Sequence, residues 1–438
     1  MRTGTGRRWR NWGRTVDTRP AEVVTPGSLD EVAETVAAAR ARGLTVKAIG
    51  AGHSFSGIAE TDGVLLDVGG LDGLLAVDAA TGRVTLGAGT NLYQLPALLA
   101  PHGLALENMG DIDRQTIAGA TQTGTHGTGA RFGGLATRIT GLTLITAAGT
   151  MLRIDEEENA ELLPAARVGL GALGVVVDID VQCVPAFLLR AVEHPEAADD
   201  VLDDFEARAT GADHFECYWW PHTDRVMTRT NERLPADTPY RPEGRFATWM
   251  EERFLQNGVL GLKSALGAVL PAATPAINRF ATRVYGDRTF TAPSYDVFTS
   301  PRDVRFREME YAVPRAAVPD ALREVRDAID RNGWRISFPV EVRATAADDT
   351  WLSTAYGRES GYIAVHRYYR EDPTEYFDAV ERIMLAHEGR PHWGKMHGLG
   401  ADDLRERYPR FDDFLAVRDR LDPDRVFANA YLRRVLGP

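Results

Sequence analysis

Apolar and polar residues alternate over 335–343: Ile336, Phe338, Val340 and Val342 hold the even positions, and the odd positions are mostly polar. That period predicts a strand, and because a strand sends successive side chains to opposite faces, Glu341 and Arg343 share one face. By the same parity His366 and Tyr368 share a face of a second strand over 362–369. On pattern alone, an antiparallel sheet with a solvated charged face explains these residues as well as a binding site does. Helical spacing governs other stretches. Ser28-Leu29-Asp30-Glu31 reads as a capping box ahead of apolar Val32, Val36 and Ala39, with Gly43 as terminator. Strands follow over 44–49, 64–68 and 83–87, then a helix over 92–102 ended by Gly103, and a strand over 175–181. Past residue 185 the texture changes to an aromatic strand over 215–220 and long helices over 314–332 and 373–388.

Between these elements lie three glycine-rich segments: Gly50-Ala51-Gly52-His53-Ser54-Phe55-Ser56-Gly57, the run over 117–129, and 169–174. Each adjoins a strand. Three such loops predict a backbone lining around a large ligand. The first is no Rossmann fingerprint, since Phe55 stands where the third glycine belongs, and no Walker sequence occurs.

A chain of 438 residues implies two domains, with the boundary near 185. Hydrophobic residues at 44% without a long apolar run predict a soluble chain with no membrane span. A net charge of −12 argues against a nucleic-acid partner. Cys183 and Cys217 form no metal or disulfide pattern and read as reduced core residues. The start over 7–13 contains an arginine pair but no following apolar segment, so it reads as a surface strand or arm, and the location as cytoplasmic. His392 and His397, five apart, miss the helical zinc spacing, so no metal is expected.

Taken together, the Gly52-His53-Ser54 loop, the loop Gly124-Thr125-His126-Gly127-Thr128-Gly129, the segment His392-Trp393-Gly394-Lys395 and the closing run over 422–429 resemble the vanillyl-alcohol-oxidase-type FAD family, in its sugar-lactone and alditol oxidase branch. The resemblance implies an α+β fold of two domains: an FAD-binding domain over 1–185 completed by about 415–438, and a substrate domain over 186–414 with an antiparallel sheet flanked by helices. It implies FAD bonded covalently through the flavin 8α carbon to His53. The cofactor would be contacted by Ile49, Gly50, Ala51, Gly52, Ser54 and Phe55, by Gly110, Gly119, Thr123, Gly124, Thr125, His126 and Gly127, by Gly174 and Val175, and by His392 and Asn429. Alone, a histidine in a glycine loop is more often a structural hydrogen-bonding residue; the accompanying motifs carry the assignment.

For substrate, the resemblance gives Arg343 and Lys395 to the hydroxyl being oxidised, Glu341 to a neighbouring hydroxyl, and Asp111, His366 and Tyr368 to the surrounding pocket. Cationic donors aimed at an oxygen that develops alkoxide character make chemical sense of those residue types. Asp111 stands where alditol oxidases carry serine and Tyr368 where they carry threonine, and Lys395-Met396-His397 is closer to the aldonolactone oxidases. The expected reaction is therefore oxidation of an aldono-1,4-lactone of the gulono or arabinono type. Gly110, with no side chain where oxygen would approach, favours O2 as acceptor and hydrogen peroxide as product. An alditol or other carbohydrate alcohol as substrate, and a lactone dehydrogenase using another acceptor, stay as alternatives. A flavin-binding protein without turnover and a nicotinamide-dependent dehydrogenase are the readings from other classes. A monomer or weak oligomer is expected.

Overall fold

The computed structural model describes residues 2–6, 8–242, 267, 270–284 and 286–438. The expected substrate-domain range therefore includes residues, chiefly 243–266, that lie outside the described part. Three sheets organise the rest. The first has four strands in the order Arg2–Thr5, Glu22–Thr25, Val64–Asp67, Val46–Ile49, with the last three parallel. The helix Leu29–Ala41 crosses from Glu22–Thr25 to Val46–Ile49, which flank Val64–Asp67 in parallel, and buries Val32, Val36 and Ala39 against the sheet. Its cap is half the expected box: Ser28 accepts from the Glu31 N–H, but the Glu31 carboxylate turns to the Gly27 N–H. The second sheet has five antiparallel strands, Met151–Asp155, Ile139–Ile145, Val175–Gln182, Arg83–Gly87 and Leu74–Asp78.

The third sheet is antiparallel and eight-stranded, and carries the charged residues singled out above. Its order is Arg288–Pro293, Phe187–Ala197, Arg225–Pro235, His214–Trp219, Val340–Thr345, Ser360–Tyr368, Phe306–Pro314 and Arg390–Pro391. One face is apolar: Val340, Val342, Ile363 and Val365 pack on Val318, Leu322, Val325 and Ile329 of the helix Val318–Asn332 and on the helix Thr374–Ala386. The opposite face is not solvated. Glu341 and Arg343 are each only 8% exposed, because the loops of the first two sheets cover them. The strand starts at Val340 rather than at 335, since Pro339 has no N–H to donate to a neighbour.

The chain then returns. Leu404, Tyr408, Phe411, Phe414, Tyr431, Leu432 and Val435 join the same core as Leu86, Leu142 and Ile179, so the return begins ahead of residue 415. Among the described residues no helix is long and apolar enough to cross a membrane. Cys183 and Cys217 are buried free thiols. The basic start forms a hairpin, Trp9–Arg10 with Asp17–Thr18, in which Arg8 and Arg10 both pair with Asp17 at the surface.

Candidate active site

The strand Val46–Ile49 runs straight into Gly50, where a Cβ would lie 2.1 Å from Thr116 Oγ1. That contact seats the loop on the N-terminus of a short helix, Ile117–Gln122, so the second glycine segment is not all loop as the sequence suggested. Thr116 caps the helix by accepting from the Gly119 N–H at 3.2 Å. The loop then turns at Gly52, whose φ of +69° admits glycine readily and other residues at a strain cost. With the third segment at Leu170, Gly171 and Gly174, the three line one cavity of about 850 Å³. Ile49, Gly50, Ala51, Gly52, His53, Ser54, Gly119 and Thr123 face it, together with Lys47 and Trp9.

A second cleft, about 1700 Å³ and open at its mouth, shares His53, Ser54, Gln115 and Thr123 with the first. The two meet at these shared residues. This cleft is lined by Phe55, Gly110, Asp111, Thr125, His126, Glu341, Arg343, His366, His392 and Lys395. Five other assigned residues lie elsewhere. Tyr368 packs in an aromatic cluster with Phe55, Phe306 and Phe338. Val175 is in the apolar core with Val32 and Val64. Gly124 makes a turn at φ +78°, and Gly127 backs onto Asn108 and Met109. Asn429 caps the helix Ala430–Leu436, and its amide donates to the Gly57, Ile58 and Glu60 carbonyls.

The cleft floor is a chain of alternating charges. Arg343 Nε donates to Glu216 Oε2 at 2.9 Å and contacts Glu341 Oε1 at 2.5 Å; Arg229 approaches Glu216 at 3.5 Å and Glu193 at 2.6 Å. Burial alone would disfavour the Arg343 cation, but Glu341 and Glu216 outweigh it and hold its pKa well above the ordinary value. Lys395 pairs with Glu308; burial again opposes the charge, and the carboxylate raises the lysine's pKa while its own falls. Glu341 differs. Burial raises its pKa, and although Arg343 opposes this, Asp111 and Glu216 add to it. Asp111 is held by Arg302, with Ser300 Oγ donating at 2.7 Å.

The D-arabinono-1,4-lactone oxidase family matches residues 179–435, and the FAD binding domain matches residues 20–155. The chain belongs to the sugar-lactone oxidase family. It is 46% identical to an L-gulono-1,4-lactone dehydrogenase of Mycobacterium tuberculosis over 98% of this chain and 99% of that one. An L-gulonolactone oxidase of Bos taurus is 36% identical over 98% of each chain. An alditol oxidase of a Streptomyces species is 32% identical over 97% of this chain and 98% of that one. Among solved structures, a cholesterol oxidase from B. sterolicum superposes with a TM-score of 0.83 at 17% identity, covering 100% of this chain and 97% of that chain, and so shares the fold. The chain is thus an FAD-dependent oxidoreductase of the vanillyl-alcohol-oxidase type, in the branch of sugar-lactone and alditol oxidases and dehydrogenases.

For this family the cavity residues fit FAD on independent grounds. Nδ1 of His53 is buried without a hydrogen-bond partner among the described residues, at the junction of the two cavities. Burial, with Lys395 and Arg114 nearby, pushes the imidazole down to about 4, so it is neutral and nucleophilic at physiological pH. Lys47, which sequence reading passed over, is 2% exposed and donates to the Gly171 carbonyl at 3.2 Å and the Phe427 carbonyl at 3.1 Å. It brings an amine to the wall of the narrower cavity, where burial disfavours its charged form and lowers its pKa to about 7.

The two histidines considered together in the sequence part company. His397 meets the Tyr431 hydroxyl at 3.0 Å, whereas His392 joins His126 and Glu310, with potential ligand atoms within 4.8 Å of one another. Backbone contacts fix the tautomers there. His392 Nδ1 accepts from the Gly394 N–H at 3.0 Å, which puts the proton on Nε2 and makes that nitrogen a donor. His126 Nδ1 donates to the Gly127 carbonyl at 2.9 Å, and its Nε2 lies 3.3 Å from Glu310. This is a hydrogen-bonding arrangement, not a set of three metal-ready lone pairs. Glu216, Arg229, Glu193, Arg302, Glu308 and Glu310 were also missed. For all but Arg302, which lies in the loop ahead of the strand Phe306–Pro314, the signal was parity on neighbouring strands, visible only once the register is known.

Proposed function

We propose that this enzyme oxidises an alcohol carbon of an aldono-1,4-lactone, with FAD attached covalently through His53 and with O2 as electron acceptor, giving hydrogen peroxide. One observation carries the reading: Arg343 and Lys395, from different strands and segments, face the same cleft as His53, each already neutralised by buried carboxylates. When bound, FAD supplies the hydride acceptor. Arg343 and Lys395 donate hydrogen bonds to the reacting hydroxyl oxygen and stabilise negative charge as the hydride leaves, inside a cleft whose apolar walls, Trp220, Val304 and Phe338, weaken screening. Glu341, with its raised proton affinity, accepts the hydroxyl proton and orients a neighbouring hydroxyl. Asp111 with Arg302, and His366, close the far side of the cleft.

The test measures peroxide formation and dye reduction in parallel on a panel of aldono-1,4-lactones and linear alditols, after acid denaturation has established whether flavin stays with the polypeptide. Turnover of alditols with larger kcat/KM than any lactone would overturn the substrate reading. Release of all flavin by acid would overturn the attachment at His53. A lactone dehydrogenase using another acceptor is the second reading, favoured by the dehydrogenase name of the 46% identical relative. Gly110 bears on that choice: an added Cβ would stand 3.0 Å from Thr125 Cγ2 and 3.1 Å from the His126 carbonyl oxygen, so even alanine forces a small shift of the cleft wall.

A further inference from the structure

No step above uses the N-terminal hairpin, yet it packs directly against His53. Trp12 donates its N–H to the Gly52 carbonyl at 2.8 Å, Asn11 Nδ2 donates to the Ser54 carbonyl at 2.8 Å, and Thr15 Oγ1 donates to the Phe55 carbonyl at 2.7 Å. The hairpin thus holds carbonyls on both sides of His53. Asn11 is itself fixed, 3% exposed, its Oδ1 accepting from the N–H groups of Thr15 and Val16. At Gly13 a Cβ would come within 2.6 Å of the Phe55 ring, so the turn and the loop lie in tight contact.

The indole of Trp12 stacks on the imidazole, with centroids 5.6 Å apart and planes at 27°. It also meets Phe55 and Phe306 edge to face, at 6.1 and 5.2 Å between centroids. The buried Nδ1 of His53 has no hydrogen-bond partner among the described residues, so hydrogen bonding there does not set the ring plane. Stacking does.

We infer that Trp12 is a positioning residue for covalent attachment of the cofactor: its indole fixes the plane of the His53 imidazole and aims a ring nitrogen into the cavity. The inference rests on the attachment proposed above. In that step a C–N bond forms between the imidazole and the flavin 8α carbon. The imidazole N–H and one methyl C–H break, two hydrogens with two electrons pass to the flavin ring, and dioxygen removes them as hydrogen peroxide. Such a reaction depends steeply on orientation, and an aromatic face on one side of the ring supplies it without consuming a lone pair.

The test compares purified wild type, His53→Ala, Trp12→Phe and Trp12→Leu, dividing total FAD into polypeptide-bound and acid-released fractions. Wild type is expected to keep its flavin through acid and His53→Ala to release it. Trp12→Leu is expected to contain FAD but to hold a covalent fraction lower by about tenfold or more, while Trp12→Phe, which keeps a stacking face, stays within about threefold of wild type. Equal covalent fractions in Trp12→Leu and wild type overturn the inference, as does equal loss in Trp12→Phe and Trp12→Leu. If Trp12→Leu fails to fold or to bind FAD, Trp12→Phe and Asn11→Ser decide: Asn11→Ser gives up the hold on Ser54 and must lower the covalent fraction while Trp12→Phe does not. Wild type that releases its flavin ends the attachment reading and this inference together; wild type and Trp12→Leu that both retain it end the inference alone.

Discussion

At the scale of the residue, the site is a set of buried charges that tolerate one another only as pairs. Removing one partner leaves the other uncompensated, which costs about 3–5 kcal/mol where both are buried. Asp111 and Arg302 are half-buried, so Asp111→Ser costs less than that figure; we predict a lowered Tm and a smaller denaturation midpoint, partly restored by Arg302→Met in the same chain. A midpoint for Asp111→Ser equal to wild type would show that the pair contributes nothing. Lys395→Met is predicted to lower kcat/KM by about 10²–10³-fold, since it withdraws a donor from a developing oxyanion. Adding Glu308→Gln should recover stability but not rate, and a recovery of rate would remove Lys395 from the chemistry. Of these residues, Glu341 and Arg343 were legible from parity only as neighbours on one face, and became site residues, with His53, through the resemblance of their motifs to the family. Arg302 was not, because nothing near it in sequence names Asp111 as its partner, 191 residues away.

Register is what turns those residues into a site at the scale of the element. Cys217 lies opposite Val342 and Tyr218 opposite Glu341, so Glu216 falls beside Arg343 on the same face; Glu308 lies opposite His366 and Glu310 opposite Ala364. Glu216 therefore acts as a fixed carboxylate that holds the Arg343 guanidinium toward the cleft. Glu216→Gln keeps shape and hydrogen bonding but not charge; Arg343 keeps Glu341 and Arg229 keeps Glu193, so the variant is predicted to lower kcat by about tenfold with a smaller loss of Tm than removal of a sole partner. An unchanged kcat would make Glu216 a structural partner only. Periodicity gave the apolar face and both long helices to within a few residues. It failed where one residue overrides a pattern: Pro339 ends the alternation, and the Thr116 cap winds Ile117–Gln122 into a helix inside what reads as a glycine loop. The resemblance also marked Gly124 and Gly127 as cofactor neighbours; the first makes a turn and the second fits closely against Asn108 and Met109.

Across the whole molecule, burial of neutral histidines ties stability to pH. Burial lowers His53, His214 and His392 from 6.5 to about 4, and His397 to about 3. Between those values and 6.5 the unfolded chain binds more protons than the folded one, so each group's contribution is full above 6.5 and declines as pH falls toward 4. We predict a denaturation midpoint that drops over this window, and a smaller drop in His397→Gln; a midpoint flat from 6.5 to 4 would contradict the burial of these rings as neutral groups. The return of the chain has a consequence in time. Lys47 and the Phe427 carbonyl it holds are 380 residues apart, and Asn429 closes the loop at Gly57 from a separation of 372. A ribosome that has finished the glycine loops has made their lining but not the closing segment that braces it through Lys47 and Gly57. Flavin loading is therefore an event of the completed polypeptide, and nascent chains stalled before residue 427 should emerge colourless however much FAD surrounds them.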